Sequence, residues 1–187
     1  MRLIKLRKAS KAYALNKGLE KARGEIIGIL DADSQVSKNC LKKTVGYFDD
    51  PEVGAVTTFI NVDNKKNFLS KMQNIEYLFS AITKKLMSFL NSMYVIPGSL
   101  SLVRKNLAEE IGFSEDTLTE DMDLALSISK KGYKIINCLD AVTFTTIPKD
   151  FKKLTKQRLR WYRGFIENTF KHSDILFNKK FCLGWFI

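Results

Sequence analysis

The sequence predicts an α/β fold with a mainly parallel sheet flanked by helices. Short apolar or β-branched runs at residues 25–30 and 53–62 alternate with longer segments of helical periodicity. Glycine, proline and capping residues punctuate the junctions. The chain's 187 residues, 45% hydrophobic and 27% charged, match one globular domain and exclude a disordered chain.

Ser10 is placed to cap a first helix, where Ala14, Leu15, Leu19 and Ala22 share a face and Gly24 follows the end. Residues 25–30 read as a buried strand that stops abruptly at Asp31-Ala32-Asp33. Ser37 is placed to cap a second helix with Leu41, Val45 and Phe48 inward, broken at Asp49-Asp50-Pro51. Residues 53–62 form the next strand. From about 66 to 91, Phe68, Met72, Ile75, Leu78, Phe79, Ile82, Leu86 and Phe89 recur at intervals of three and four, the pattern of a long amphipathic helix. Pro97-Gly98 marks a turn, residues 99–103 a strand, and residues 107–111 a short helix closed by Gly112. Thr119 is placed to cap a helix with Leu124, Ala125 and Ile128 inward and Gly132 at its end. Residues 134–139 and 141–146 are two further strand candidates.

A basic amphipathic helix follows from about 151. The expected organisation is a body at 1–150, an interface helix at 151–174, and at 175–187 the candidate start of a membrane-crossing segment. The last seven residues are uncharged and mostly apolar, and a span takes about 20, so they open a membrane helix or pack as a buried tail.

Lys and Arg number 31 against 20 Asp and Glu, a net charge of +11. Residues 1–30 hold eight basic and two acidic groups, and residues 151–180 hold nine and two. The middle is slightly acidic. This pattern points to a local anion site or a membrane-facing segment, and the acidic centre argues against nucleic acid. Cys40, Cys138 and Cys182 have no metal-ligand spacing and read as reduced thiols. His172 is the only histidine, which argues against a Ser-His-Asp triad or a His-rich zinc site.

Four constellations remain, each with an ordinary reading beside a chemical one. Asp31-Ala32-Asp33 follows a buried strand, where α/β sheets place ligands. It is an acidic turn, or a pair of hard oxygen ligands for Mg²⁺ or Mn²⁺ shared with substrate phosphates. Glu120 and Asp121 open a helix, where they complement its dipole or supply a general base. Gln157, Arg160 and Trp161 share a helix face, with Arg158 beside them. They form a membrane-surface helix, or a site where arginine binds pyrophosphate and tryptophan stacks on a sugar. Lys11, near a helix start, is surface charge or a phosphate contact.

The order and spacing of these motifs resemble the family-2 glycosyltransferases of the processive polysaccharide synthase type, such as the cellulose, hyaluronan and poly-N-acetylglucosamine synthases. The residues that carry the resemblance begin with Lys11-Ala12-Tyr13-Ala14-Leu15-Asn16, Gly24-Glu25 and Leu30-Asp31-Ala32-Asp33. They continue through Pro97-Gly98-Ser99, Gly112-Phe113, Thr117-Leu118-Thr119-Glu120-Asp121, Lys131-Gly132-Tyr133, and Gln157-Arg158-Leu159-Arg160-Trp161 with Gly164.

The resemblance implies a GT-A fold and inverting transfer of a sugar from a UDP-sugar, first UDP-N-acetylglucosamine, to a growing polysaccharide at the cytoplasmic face of the cell membrane. It implies Asp121 as general base and Glu120 as a shaper of the acceptor site. Asp33 is the expected metal ligand, with Asp31 between metal and nucleotide. Lys11, Gln157, Arg158, Arg160 and Trp161 hold the diphosphate and acceptor end. The expected partners are a nucleotide-sugar donor, a glycan acceptor and membrane lipid. The family's uracil- and ribose-binding start has no counterpart before Lys11, so a chain cut at both ends and of low activity is expected. The alternative is a catalytically incompetent module that binds a membrane or a partner.

Overall fold

The computed structural model describes residues 4–5, 10–63 and 67–176. The expected membrane-segment start at 175–187 lies outside them from residue 177 on, and Cys182 with it. Among the described residues, five strands form one sheet in the order β1 (Ile26–Ile29), β4 (Ser101–Arg104), β3 (Val53–Val62), β5 (Lys134–Thr145), β2 (Ser34–Val36).

Ser10 caps α1 (Lys11–Leu19), its hydroxyl accepting the Tyr13 N–H at 3.4 Å. Next comes β1 (Ile26–Ile29), then β2 (Ser34–Val36), a three-residue strand too short to leave a sequence signature. Helix α2 (Cys40–Val45) starts three residues after Ser37, and its facing differs from expectation. Cys40 and Thr44 are buried, whereas Leu41 and Val45 are exposed. The small pair lets this short helix lie close to the sheet, and the Thr44 hydroxyl satisfies itself on the Cys40 carbonyl at 3.0 Å. Phe48 is inward as expected, on the 3₁₀ turn Gly46–Asp49.

β3 (Val53–Val62) is the central strand, and its side chains alternate between two faces. Ala55 joins a core with Ala12, Ile29, Val103, Ala108, Leu124 and Ile128, which packs α1, α4 (Lys105–Ile111) and α5 (Glu120–Lys130) on one face. Val56 joins Cys40, Phe48, Leu102 and Cys138 on the other. β4 is Ser101–Arg104 and β5 is Lys134–Thr145. The two strand candidates at 134–139 and 141–146 are one strand with extra residues at its middle. Thr58 pairs with Cys138, while the next residue, Phe59, pairs with Val142. Helices α4 and α5 are followed by Gly112 and Gly132 at positive φ, as expected.

The α/β class stands, but the balance of strand directions differs from the expected mainly parallel sheet. Among the described residues only β3–β5 is parallel; β1–β4, β3–β4 and β2–β5 are antiparallel. The reason lies between α3 (Phe68–Phe89) and β4. There the end of α3 and the start of β4 both lie at the level of Thr57, so β4 runs on beside β3 in the reverse direction.

Helix α3 is as long as its periodicity predicts, and it is turned outward. An Asn67–Ser70 capping box starts it, and Asn91 at φ 51° follows its end. Its buried residues are Ser70, Gln73 and Ser88. Gln73 donates to the Pro148 carbonyl at 2.9 Å, and Ser88 accepts the Asn137 N–H at 2.9 Å. The apolar stripe faces away from the sheet, with Phe79 66% and Phe89 86% exposed. Helix α6 (Phe151–Lys171), capped by Asp150, crosses toward α5, and α7 (Ser173–Leu176) follows.

Candidate active site

The end of β1, the start of α1 and the start of α5 converge on one small cleft, lined by Lys11, Leu15, Gly98, Phe113, Glu120 and Asp121. Asp31 leaves β1 with its N–H donating to the Gly98 carbonyl at 2.6 Å. Its carboxylate lies directly on Gly98: a Cβ there would stand 2.5 Å from Asp31 Oδ2. Only glycine leaves room for that approach. Lys11 then bridges two carboxylates, with Nζ 2.8 Å from Asp31 Oδ1 and 3.0 Å from Glu120 Oε1. Burial opposes its charge, but Asp31 and Glu120 together outweigh that penalty and raise its pKa above the ordinary lysine value.

Asp121 sits one residue further into α5 and accepts the Met122 N–H at 2.9 Å. Burial pushes its carboxyl above the usual range and the Glu120 charge adds to this, while Lys11 pulls the other way. Lys84, half-buried on α3, meets the same site from another side. Burial lowers its pKa to about 8, opposed by the charge of Asp121.

The α6 residues divide. Arg160 donates to the Leu118 carbonyl at 3.3 Å, beside the start of α5. Arg158 turns to α3 instead, pairing with Glu76 at 2.7 Å and stacking over Trp161 at 4.3 Å from the ring centre. Gln157 is half-buried, and its Oε1 is buried without a hydrogen-bond partner. Lys11, Asp31, Glu120 and Asp121 are therefore gathered; Arg160 flanks them, and Arg158 with Trp161 lies toward α3.

Sequence reasoning missed several supporting side chains. Asn16 donates to the Phe113 carbonyl and accepts the Phe113 N–H, both at 2.8 Å, tying α1 to the cleft wall. Thr119 precedes α5 as expected, but its hydroxyl makes no cap bond and accepts from Asn168 instead, at 2.9 Å. His172 and Asp123, both buried, lie 2.7 Å apart. The repeat of Gly164, Asn168 and His172 every four residues was the available signal, and it reads as ordinary helix surface without a partner in view.

Asp31 and Asp33 supply carboxylate oxygens, and Asp33 is exposed. Among the described residues no group of three or more His, Cys, Asp and Glu is gathered for a metal. That donor set fits Mg²⁺ or Mn²⁺, which takes one or two carboxylates and completes its shell from substrate phosphate and water.

The family model for glycosyl transferase family group 2 matches residues 26–186. The chain belongs to that family. Poly-β-1,6-N-acetyl-D-glucosamine synthase of Staphylococcus aureus is 32% identical over 158 residues, covering 82% of this chain and 38% of that protein. The Staphylococcus epidermidis synthase of the same name is 31% identical over 157 residues, with the same coverage. This glycosyltransferase chain thus spans 38% of the length of the curated relatives it matches. A mannosyltransferase from Pyrobaculum calidifontis, solved with GDP-Man and Mn²⁺, superposes with a TM-score of 0.70 at 26% identity, covering 88% of this chain and 44% of that one. The architecture is that of the GT-A glycosyltransferases.

Proposed function

We propose that this glycosyltransferase moves a sugar, N-acetylglucosamine first among candidates, from its UDP donor to a growing polysaccharide, with inversion. The observation that carries the reading is the Lys11 bridge between Asp31 and Glu120 beside the half-buried Asp121. The similarity to poly-N-acetylglucosamine synthases supports the donor.

In this reading Asp31 and Asp33 would hold a divalent cation, which would supply positive charge at the leaving diphosphate. Lys11 adds a second cation there, exchanging its carboxylate partners for phosphate oxygens. Arg160 and Gln157 hold the diphosphate end, and Trp161, with Arg158 against its face, offers an apolar platform to the acceptor sugar. Asp121 takes the acceptor hydroxyl proton as that oxygen bonds to the anomeric carbon. The bond from that carbon to the diphosphate oxygen breaks, and its electron pair leaves with the nucleotide. Burial makes Asp121 a stronger base once ionised.

The outward apolar stripe of α3 and the seven Lys and Arg residues among 151–171 on α6 favour a place against an anionic membrane, at its cytoplasmic face. No helix among the described residues is long and apolar enough to cross a membrane.

The test is incorporation of labelled UDP-N-acetylglucosamine by membranes from cells expressing the protein. Asp121→Asn is expected to abolish transfer and leave UDP binding intact, and surviving transfer would refute the base assignment. Trp161→Ala is expected to weaken acceptor engagement more than donor binding. The same outward stripe favours a second reading, a membrane- or partner-binding module; absence of UDP binding by calorimetry with Mn²⁺ would select it.

A further inference from the structure

One side of α6, buried at Gly164, Asn168 and His172, which take no part in the reaction described above, grips the start of α5. Arg160, Gly164, Asn168 and His172 recur every four residues, so one side of the helix and its cap carries them all. Each meets a residue just before or just after Glu120 and Asp121. The Leu118 carbonyl accepts from Arg160, and the Leu118 N–H donates to Glu167 Oε2 at 3.1 Å. At Gly164 the approach is so close that a Cβ would stand 2.3 Å from Thr119 Oγ1. Asn168, with no exposed surface, donates to the Thr119 carbonyl at 3.1 Å and to its hydroxyl at 2.9 Å. On the far side of the pair, Asp123 Oδ1 is 2.7 Å from His172 Nε2 and 2.7 Å from Lys171 Nζ. Ile175 closes the contact against Met122 and Leu126.

We propose that Asn168 and His172 are positioning residues, which hold residues 118–119 and 122–123 as a bracket and so present Glu120 and Asp121 to the cleft in register with α6. The proposal rests on the reading of Asp121 as the base. Three features argue for a role beyond packing. First, a buried amide costs desolvation that an apolar side chain avoids, and here it is spent on the residue that starts the catalytic turn. Second, Thr119 gives up its ordinary capping bond to receive that amide, so the first turn of α5 is fixed from α6 and not from within. Third, Asp123 lies two residues beyond Asp121, on another side of α5, so gripping it sets the helix rotation without occupying the cleft. Burial opposes the Asp123 charge, but the His172 and Lys171 hydrogen bonds outweigh it and hold its carboxyl below the usual range.

The test combines hydrogen exchange with kinetics on Asn168→Leu, similar in shape and without the amide, and on the pair His172→Gln and His172→Leu. Asn168→Leu and His172→Leu are expected to speed exchange of the 120–123 amides at least about tenfold, with β3 amides unchanged. Per folded molecule, kcat is expected to fall about tenfold or more with donor KM within about twofold, because Lys11 and Asp31 are untouched. His172→Gln, which keeps a donor toward Asp123, is expected to recover kcat to within about threefold of wild type. A loss of melting temperature with kcat per folded molecule preserved would overturn the positioning role. Unchanged exchange at 120–123 would overturn the bracket whatever the activity. A wild type that binds no UDP overturns the reading of Asp121 as the base, and the exchange arm then still reports on the bracket alone.

Discussion

Replacing Gly98 by alanine tests whether the cleft depends on the contact between its turn and Asp31. The new Cβ would meet Asp31 Oδ2 at 2.5 Å, Oδ1 at 2.6 Å and Cγ at 2.7 Å. A relaxed C···O contact is about 3.3 Å or more, so the carboxylate must retreat by about 0.8 Å. That retreat disrupts the Lys11–Asp31 pair, now 2.8 Å, and strains the 2.6 Å bond from the Asp31 N–H to the Gly98 carbonyl. The pair is part-exposed and contributes at most about 1 kcal/mol; with the overpacking, a loss of about 1–2 kcal/mol is expected. For a chain of this length that lowers Tm by about 2–8 °C. Misplacing a binding group by about 1 Å costs on the order of 10²-fold in function, so UDP binding with Mn²⁺ should fall far more than stability. The control is Gly18→Ala on α1, where a Cβ meets nothing within 4 Å; it should raise Tm by about 1–4 °C through helix propensity. Scanning fluorimetry and calorimetry read both variants. A Gly98→Ala protein that melts within about 1 °C of wild type and binds UDP equally would refute the placement of Asp31 against that turn.

Three further outcomes follow from the charges and the helix faces. Asp123→Asn should cost about 2 kcal/mol near neutral pH, where the charged Asp123 is held by His172 and Lys171. Since the folded pKa of Asp123 is depressed, its contribution is complete above about pH 4 and fades as pH falls through that lowered value, so urea melts of the two proteins should converge in acid. Lys84→Met should stabilise the protein at pH 7, because the folded pKa of Lys84 is lowered to about 8 and charging it in place is unfavourable. The gain should shrink as pH rises through about 8 and vanish above about 10.5, where the lysine is neutral folded or unfolded; a pH-independent gain would point to packing. Phe79→Glu with Ile82→Glu, both exposed on α3, should leave Tm nearly unchanged and sharply reduce binding to anionic vesicles in flotation assays. Full retention on the vesicles would remove α3 from the membrane contact.

Much of the fold is legible because its elements announce themselves locally. The β-branched run of β3 and the punctuation after α4 and α5 are properties of neighbouring residues. The position of Asp31 just beyond a strand is readable for the same reason. Facing and direction are not local. The periodicity of α3 reports that it has an apolar side, but Gln73 and Ser88 meet backbone groups of Pro148 and Asn137, far along the chain, and these turn the polar side inward. Leu41 and Val45 mislead in the same way, because Cys40 and Thr44 fit the close approach better. Within the site, Lys11, Asp31, Glu120 and Asp121 are visible through motif order. Asn16 stands in the same motif as Lys11, but its role, like those of Asn168 and His172, is not legible, since each acts through a residue distant in sequence: Asn16 is 97 positions from Phe113, and Asn168 is 49 from Thr119.

The parallel β3–β5 pairing bears on how the protein comes to be folded. Asn137 reaches Thr57 across 80 positions, and the pairing closes a loop that contains α3, β4, α4 and α5. Loop-closure entropy must be met before such distant partners reward each other, so high contact order predicts slow folding with this pairing among the late events. The cleft inherits that timing. Lys11 cannot find Glu120 until the central sheet has closed, so no early, locally structured species carries an assembled site.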